Sequence, residues 1–322
     1  MKAVRVNELG GPEVLSLEDI PVPEPEEGQI LVDVNSAGVN FMDTYQRKGL
    51  YPVDPPFTLG AEGAGEILAL GEGVTEFSVG DRVAWCDQQG AYADQISIKA
   101  ARAVPIPEGL SDELAAASLL QGATAHYLVN DTFKLGSGHK CLIHAAAGGA
   151  GRLLVQLAKL AGAEVIATAG GPEKVELARS AGADHVIDYR NEDFVARTEE
   201  IAGPKALDVV YDGVGKATFE QGLTLLKPRS LMVAYGNASG PPDPLPVLRL
   251  SQLGSLYLTR PGLGNYIATT EELRSRAAAI FGLIANGKLE VIVGLRLPLQ
   301  EAAEAHRKLE GRQTTGKVLL VP

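Results

Sequence analysis

The stretch that most limits what this chain can become runs from Leu142 to Lys159. An apolar run, Leu142-Ile143-His144-Ala145, leads into Ala146-Ala147-Gly148-Gly149-Ala150-Gly151. From there Arg152-Leu153-Leu154-Val155-Gln156-Leu157-Ala158-Lys159 continues with helical spacing. Ala146, Gly148 and Gly151 hold the spacing of G-x-G-x-x-G, with alanine at the first glycine and an added glycine at 149. That spacing builds a tight strand-to-helix turn whose bare backbone can approach a diphosphate. The ligand there meets free N–H groups and the positive end of a helix dipole. Glycines also punctuate ordinary turns, so the motif carries weight only inside a run of βα units.

Such a run follows. Strands are expected at 141–145, 164–168, 185–189, 207–211 and 231–235, and helices at 151–161, 173–180, 193–201 and 218–226. Gly182 and Gly203 end two of these helices. Alternation of this length specifies a parallel sheet with helices on both faces, a doubly wound Rossmann-type α/β domain. Residues 255–259 supply a last strand at the sheet edge. An open edge can pair across a two-fold axis, which predicts a homodimer.

The first third reads differently. Segments 2–7, 14–16, 30–37, 63–70, 81–85 and 91–98 alternate or are β-branched, and Gly10-Gly11-Pro12, Pro21–Pro25 and Gly71–Gly73 separate them. This predicts an irregular antiparallel, barrel-like domain. Its one early helix is signalled by Asn40 and Asp43, spaced as a capping box. Beyond Thr269, which opens another capping box with Glu272, the βα rhythm stops, and the tail is too short for a domain of its own. It is expected to rejoin the first domain and to leave the active site in the cleft between the two. The expected division is 1–120 with 266–322 for the catalytic domain and 121–265 for the nucleotide domain.

Lys and Arg total 29 against 40 Asp and Glu, a net charge of −11, with no basic stripe to meet a nucleic acid or an anionic membrane. Two cysteines, Cys86 and Cys141, sit in apolar runs and are expected to be reduced and buried. The N-terminal residues lack the apolar core of a secretion signal, and no stretch is long enough to span a bilayer. A cytoplasmic location is expected.

The second strand of the nucleotide domain ends in Ala167-Thr168-Ala169-Gly170-Gly171, without the acid that grips a free ribose 2′-hydroxyl. Lys174 follows at once, and Tyr189-Arg190 one strand later. Space, cations and a hydroxyl suit a 2′-phosphate, so NADPH is expected over NADH. Glu173 belongs to the helix start, where the dipole favours an acid.

The chain resembles the medium-chain dehydrogenase/reductase superfamily, and within it the NADPH:quinone oxidoreductase (zeta-crystallin) group. Gly138-His139, Leu142, Ala146-Ala147-Gly148-Gly149, Gly151, Gln156 and Lys159 fill every defined position of that group's signature. The likeness extends over Gly38–Tyr45, Gly49-Leu50-Tyr51-Pro52, Gln121–Leu128, Tyr211–Gly215 and Gly236–Gly240. Arg152 departs from the group's small or apolar residue; in the helix's first turn it can alter access to the diphosphate, but it need not. In the zinc alcohol dehydrogenases of the superfamily, a cysteine ligand stands where this chain has Asn40, and Gly-His-Glu where it has Gly60-Ala61-Glu62. A catalytic zinc needs thiolate and imidazole ligands with one open position. The ligand count therefore predicts no metal, and without a Lewis acid the chemistry shifts from alcohol oxidation to reduction of an electrophilic acceptor.

The resemblance implies a zinc-free, NADPH-dependent quinone reductase. Asn40 would bond the nicotinamide ribose or the quinone, and the reading as a helix N-cap is compatible with either. Tyr45 and Tyr51 would contact substrate. Tyr127 would be a cofactor contact by its place in the motif, or a helix-packing residue. Gly148, Gly149, Ala150 and Gly151 would present backbone to the diphosphate, and Gly170, Gly171, Lys174 and Tyr189 would take the 2′-phosphoribose. Val214, Gly236, Asn237, Leu263 and Asn265 would lie at the nicotinamide half, and Arg312 would reach in from the tail or stay solvated. His144 is expected to be a satisfied core histidine. Two rival readings remain: reduction of an α,β-unsaturated carbonyl or enoyl substrate, with Tyr45 as proton donor, and a non-catalytic NADPH-binding or structural role.

Overall fold

The computed structural model describes residues 1–322, which divide into two compact units: Met1–Ala123 with Ile267–Pro322, and Thr124–Tyr266.

The first unit is built on β3 (Gln29–Val39), an 11-residue strand that buries Ile30, Leu31, Val32, Val34, Ala37 and Val39. It pairs antiparallel with β5 (Glu62–Leu70), β7 (Gln95–Lys99) and β16 (Lys317–Val321). β6 (Arg82–Cys86) joins β5, β8 (Ala103–Pro105) joins β6, and β15 (Val293–Pro298) runs parallel to β16. A smaller sheet holds β1 (Lys2–Val6) between β2 (Leu15–Asp19) and β4 (Phe57–Thr58). Two register shifts between β3 and β5 give the larger sheet the irregular curvature that the sequence suggests. The core gathers Val4, Ile30, Ile67, Trp85, Tyr92, Ile98 and Leu320. Its helices are α1 (Phe41–Arg47), the first part of α2 (Asp112–Tyr127), α8 (Thr270–Ala285) and α9 (Ala302–Glu310).

The tail's return has a local consequence. β16 registers Val318 on Val39 and Leu319 on Gly38, while Gly63 of β5 lies opposite Ala37. The end of β3 and the starts of β5 and β16 therefore converge, and Asn40, Glu62 and Lys317 stand at those three strand ends.

The second unit holds a six-stranded parallel sheet in the order β11-β10-β9-β12-β13-β14. These strands are β9 (Lys140–Ile143), β10 (Glu164–Ala169), β11 (His185–Asp188), β12 (Leu207–Asp212), β13 (Leu226–Ala234) and β14 (Tyr257–Thr259). The crossovers are α3 (Gly149–Leu160), α4 (Pro172–Ser180), α5 (Phe194–Ala202), α6 (Phe219–Thr224) and α7 (Val247–Gln252). The chain winds outward in both directions from β9, so the switch point lies between β9 and β12, where open α/β sheets bind ligands. Leu142, Ile166, Val210 and Met232 fill the core beneath it. The helix α7 has no counterpart in the sequence expectations, since Pro246 at its N-cap follows a proline-rich loop and the helix is only six residues long.

Candidate active site

The nucleotide turn forms as its spacing requires. Ala145 adopts a left-handed φ of 55°, and Gly148 caps α3 in extended conformation. The need for glycine at 151 is steric: a Cβ there would lie 2.3 Å from the carbonyl oxygen of Ala145. Gly149, Ala150 and Gly151 open the helix, and their N–H groups belong to the first turn, which has no intrahelical acceptors. Arg152 turns away from this opening. Its side chain is buried and donates to the Leu177 carbonyl at 2.7 Å and to Ser180 Oγ at 3.0 Å, tying α3 to the C-terminal turn of α4. Of the two alternatives, altered access to the diphosphate or none, this placement favours the second: the guanidinium meets the negative end of the next helix.

Beside this turn, the loop after β10 is packed by the loop after β11. A Cβ on Gly170 would fall 2.5 Å from Tyr189 Oη, and one on Gly171, at φ 91°, would fall 3.0 Å from an Arg190 nitrogen. Asp188, which the sequence reading passed over, organises both loops. Its Oδ1 accepts from Gly171 N–H at 2.9 Å and Arg190 N–H at 3.1 Å, and the Gly171 bond holds its carboxyl below the usual range. Asp212 does the same after β12: its Oδ1 accepts from the N–H groups of Val214 and Gly215 and from Thr218 Oγ1. Val214 is in turn joined to the loop after β13, where Ser239 donates to its carbonyl through N–H and Oγ, both at 2.8 Å. Gly148–Gly151, Gly170, Gly171, Lys174, Tyr189, Val214, Gly236 and Asn237 all follow the C-terminal ends of neighbouring parallel strands. Tyr127 ends α2 and stacks on Tyr266, with ring centroids 4.1 Å apart and planes 6° from parallel. Tyr266 closes the single turn that carries Leu263 and Asn265. Arg312 is exposed, at φ 57°, on the loop between α9 and β16.

His144 is buried as expected but only half satisfied. Nδ1 lies 3.0 Å from Thr168 Oγ1, whereas Nε2 has no hydrogen-bonding partner in the protein. Burial lowers its pKa, so the ring is neutral.

In the first unit the three strand ends form a closed polar cluster. Lys317 and Glu62, both buried, make an ion pair through Nζ and Oε2. Lys317 Nζ also donates to Asn40 Oδ1 at 2.9 Å. Asn40 Nδ2 donates to Glu62 Oε2 at 3.0 Å and to the Gly38 carbonyl at 3.2 Å. Glu62 Oε1 accepts from the Leu120 N–H at 2.6 Å, and Gln121 Nε2 donates to Asn40 Oδ1 at 3.2 Å. Gly38 permits the approach, since a Cβ there would lie 2.5 Å from Glu62 Oε2 and 2.8 Å from Lys317 Cε. From the helix side, Asp43 accepts from the Asn40 N–H at 2.7 Å, so Asn40 also opens α1.

Asp43 belongs to a second buried chain. Tyr92 Oη donates to Asp43 Oδ2 at 2.8 Å, and His306 Nε2 lies 3.3 Å from Tyr92 Oη. Arg47 donates to His306 Nδ1 at 2.8 Å, which leaves the ring proton on Nε2, and to Glu310 at 2.8 Å. Burial pushes the Asp43 carboxyl up to about 7, against the pull of the Asn40 and Tyr92 donors. Burial and then the Arg47 charge push His306 down to about 3. Tyr45 packs edge-on against Tyr51 at 5.2 Å, and its ring centroid lies 6.2 Å from that of Phe41.

The residues around Asn40 do not fit a zinc ion. Thiolate and imidazole are missing from the cluster, and an ammonium lies against Glu62. No group of three or more His, Cys, Asp and Glu side chains is placed to share a metal.

An irregular antiparallel unit joined to a six-stranded parallel sheet in this winding order defines a medium-chain dehydrogenase/reductase. Comparison with known proteins agrees: residues 26–129 match the alcohol dehydrogenase GroES-like domain, and residues 149–278 match the zinc-binding dehydrogenase family. The chain is 45% identical to the quinone oxidoreductase of Pseudomonas aeruginosa, over 100% of this chain and 99% of that one. It is 40% identical to the 2-haloacrylate reductase of a Burkholderia species, over 99% and 98%. The crystal structure of Escherichia coli quinone oxidoreductase complexed with NADPH superposes with a TM-score of 0.98 at 43% identity, covering 100% of both chains. This chain belongs to the quinone oxidoreductase group of that superfamily.

The sequence reading missed Lys317, Glu62 as a partner of Asn40, Gln121 and Asp188. Lys317 lies 277 residues from Asn40, and only the pairing of β16 with β3 brings them together. A lysine opening an otherwise apolar strand, Lys317-Val318-Leu319-Leu320, was the available signal.

Proposed function

We propose that the protein is an NADPH-dependent quinone reductase that works without a metal ion. The observation that carries this reading is the cluster at Asn40: Asn40 and Ala61 occupy the positions of the zinc relatives' ligands, and Asn40 is bonded to a buried ion pair of Lys317 and Glu62. The quinone oxidoreductase relatives and the NADPH complex of the E. coli enzyme support it. Bound NADPH supplies the hydride. The chain's part is to bind and orient, and that alone can remove a large share of a bimolecular barrier.

Gly148, Gly149, Ala150 and Gly151 receive the diphosphate at the start of α3. Gly170, Gly171, Lys174 and Tyr189 take the 2′-phosphoribose, with Asp188 fixing their loops. Tyr127, Val214, Gly236, Asn237, Leu263, Asn265 and Arg312 serve the nicotinamide half. Asn40, Tyr45 and Tyr51 serve the reacting end, where the aromatic pair offers faces and edges to a planar quinone. The reduced quinone is a resonance-stabilised anion that takes its proton from water, so no strong acid is needed.

A second reading is favoured by one observation. The Burkholderia relative is named for reduction of 2-haloacrylate, an α,β-unsaturated acid. Tyr45 would be the candidate phenol to protonate a carbon centre in that case. Purified protein assayed for NADPH oxidation against a panel of quinones and a panel of enals and acrylates separates the two. Turnover of the second panel alone would replace the quinone assignment. NADPH binding with no turnover of either would leave a binding protein.

Homodimer formation through β14 is part of the same reading. The strand is an edge, and Tyr257 and Leu258 on it, with Val247 and Leu248 on α7, are exposed apolar side chains. A cytoplasmic site of action accords with two free, buried cysteines. No helix is long and apolar enough to cross a membrane.

A further inference from the structure

The Asn40 carboxamide can make four hydrogen bonds, two as donor and two as acceptor. All four are made within the protein: Nδ2 to Glu62 and Gly38, and Oδ1 from Lys317 and Gln121. A ligand can reach this amide only by displacing one of them. The four partners are not equivalent. Glu62 and Lys317 are buried charges bonded to each other, and Gly38 is buried main chain within β3. Removing any of these exposes or strands a group that the fold has committed. Gln121 is different. It is the one partner that is not fully buried, its bond is among the two longest at 3.2 Å, and its own Oε1 is buried with no hydrogen-bonding partner. A carboxamide held by one end only, with the other end unsatisfied, loses little by swinging away.

We infer that Gln121 is a displaceable partner of Asn40, and that a ligand hydroxyl takes its place on Asn40 Oδ1. The polarity is fixed from behind. Lys317 forces Oδ1 to face the ammonium and Glu62 forces Nδ2 to face the carboxylate, so the amide cannot flip to offer an N–H. The exchangeable position therefore accepts only a hydrogen-bond donor. A quinone carbonyl, an acceptor, is excluded from it. A ribose hydroxyl of the cofactor and the hydroxyl of a hydroquinone product both fit. Lys317 and Glu62 thereby act as positioning residues that decide which end of Asn40 a ligand meets. This inference rests on the proposed reductase reading for the identity of its ligands.

The test removes the competitor. Gln121→Met keeps the length and bulk of the side chain and abolishes both polar atoms, and Gln121→Leu provides a second variant should the first fold poorly. Affinities for NADPH and for 2′,5′-ADP, which lacks the nicotinamide ribose, are measured by fluorescence titration, and hydroquinone is titrated as a product inhibitor. Removing a competing neutral hydrogen bond should tighten the displacing ligand by about fivefold, while 2′,5′-ADP binding stays unchanged in both variants. Tighter NADPH identifies the ribose as the displacing group, and a tighter hydroquinone identifies the product. Unchanged or weaker binding of both overturns the inference. Wild-type protein that binds no 2′,5′-ADP would instead overturn the NADPH reading, and the hydroquinone titration would still decide the role of Gln121.

Discussion

Replacing Lys317 with methionine tests the buried cluster most directly. The substitution keeps the length of the side chain and removes its charge, and the ammonium lost is one that Glu62 and Asn40 both use. Glu62 is fully buried. Its remaining donors are the Leu120 N–H at 2.6 Å and Asn40 Nδ2 at 3.0 Å, which are dipoles and not a counter-ion. Breaking a buried ion pair from one side costs about 3–5 kcal/mol, because the other charge is left uncompensated. At a urea slope of about 2 kcal/mol/M, that moves the unfolding midpoint down by about 2 M. The readout is already in the chain. Trp85 is the only tryptophan, lies buried on β6 in the same unit, and packs so closely on Gly63 that a Cβ there would meet its ring at 2.4 Å. Its fluorescence through a urea titration therefore follows the unit that holds Lys317. Glu62→Gln combined with Lys317→Met removes both charges and should recover at least half of the loss. A single Lys317→Met variant that unfolds within about 0.5 M of wild type would mean that the pair is hydrated or optional, and the account of the cluster would fail.

Three further outcomes are expected. Lys174→Ala should weaken NADPH by at least about tenfold, one charge-assisted phosphate contact, and leave NADH nearly unchanged in parallel titrations; equal losses would sink the 2′-phosphate assignment. Gly151→Ala places a methyl 2.3 Å from the Ala145 carbonyl, so NADPH binding should be abolished while the Trp85 unfolding curve is unaltered, and retained binding would contradict the turn geometry. For pH, the raised pKa of Asp43, about 7, makes the folded state hold a proton that the unfolded chain releases near 4, so its contribution falls as pH rises from 4 to 7. His306, lowered to about 3, works the other way, and stability from it rises between pH 3 and 6.5. The two offset each other in wild type, and Asp43→Asn should unmask a urea midpoint that climbs from pH 4 to 6.5; a flat profile in that variant would count against the burial of His306.

Most of the nucleotide-binding unit was legible because its signals are local. A glycine turn, a strand of four to six residues and a helix with its own stop each fall within a dozen positions, and repetition of that unit determines a parallel sheet. The glycines at 148 and 151 say what the backbone there must do. The side chains that hold the loops still were harder to see, because Asp188 acts on Gly171 from a different strand and Asp212 looks like any acid at a strand end. Arg152 was left open by the sequence for a related reason. Its position in the first turn suggested the ligand, yet a long side chain on a helix is directed by what packs beside it, here the end of α4.

The cluster around Asn40 was legible only in part, for a reason that bears on how such sites diverge. Sequence can register that Asn40 and Ala61 stand where metal ligands would be, because substitution at a known position is a local fact. It cannot register what fills the electrostatic gap, since the answer lies on the last strand of the chain. A buried carboxylate at the start of β5 would be costly alone, and the strand pairing that brings β16 alongside β3 delivers a cation to it. The pair is neutral overall, and its two hydrogen bonds together with the one to the Gly38 carbonyl hold Asn40 on three sides, so the site has rigidity without Lewis acidity. That combination suits an acceptor already electrophilic enough to take a hydride, and it leaves discrimination between ligands to the single partner of Asn40 that the fold does not hold, Gln121.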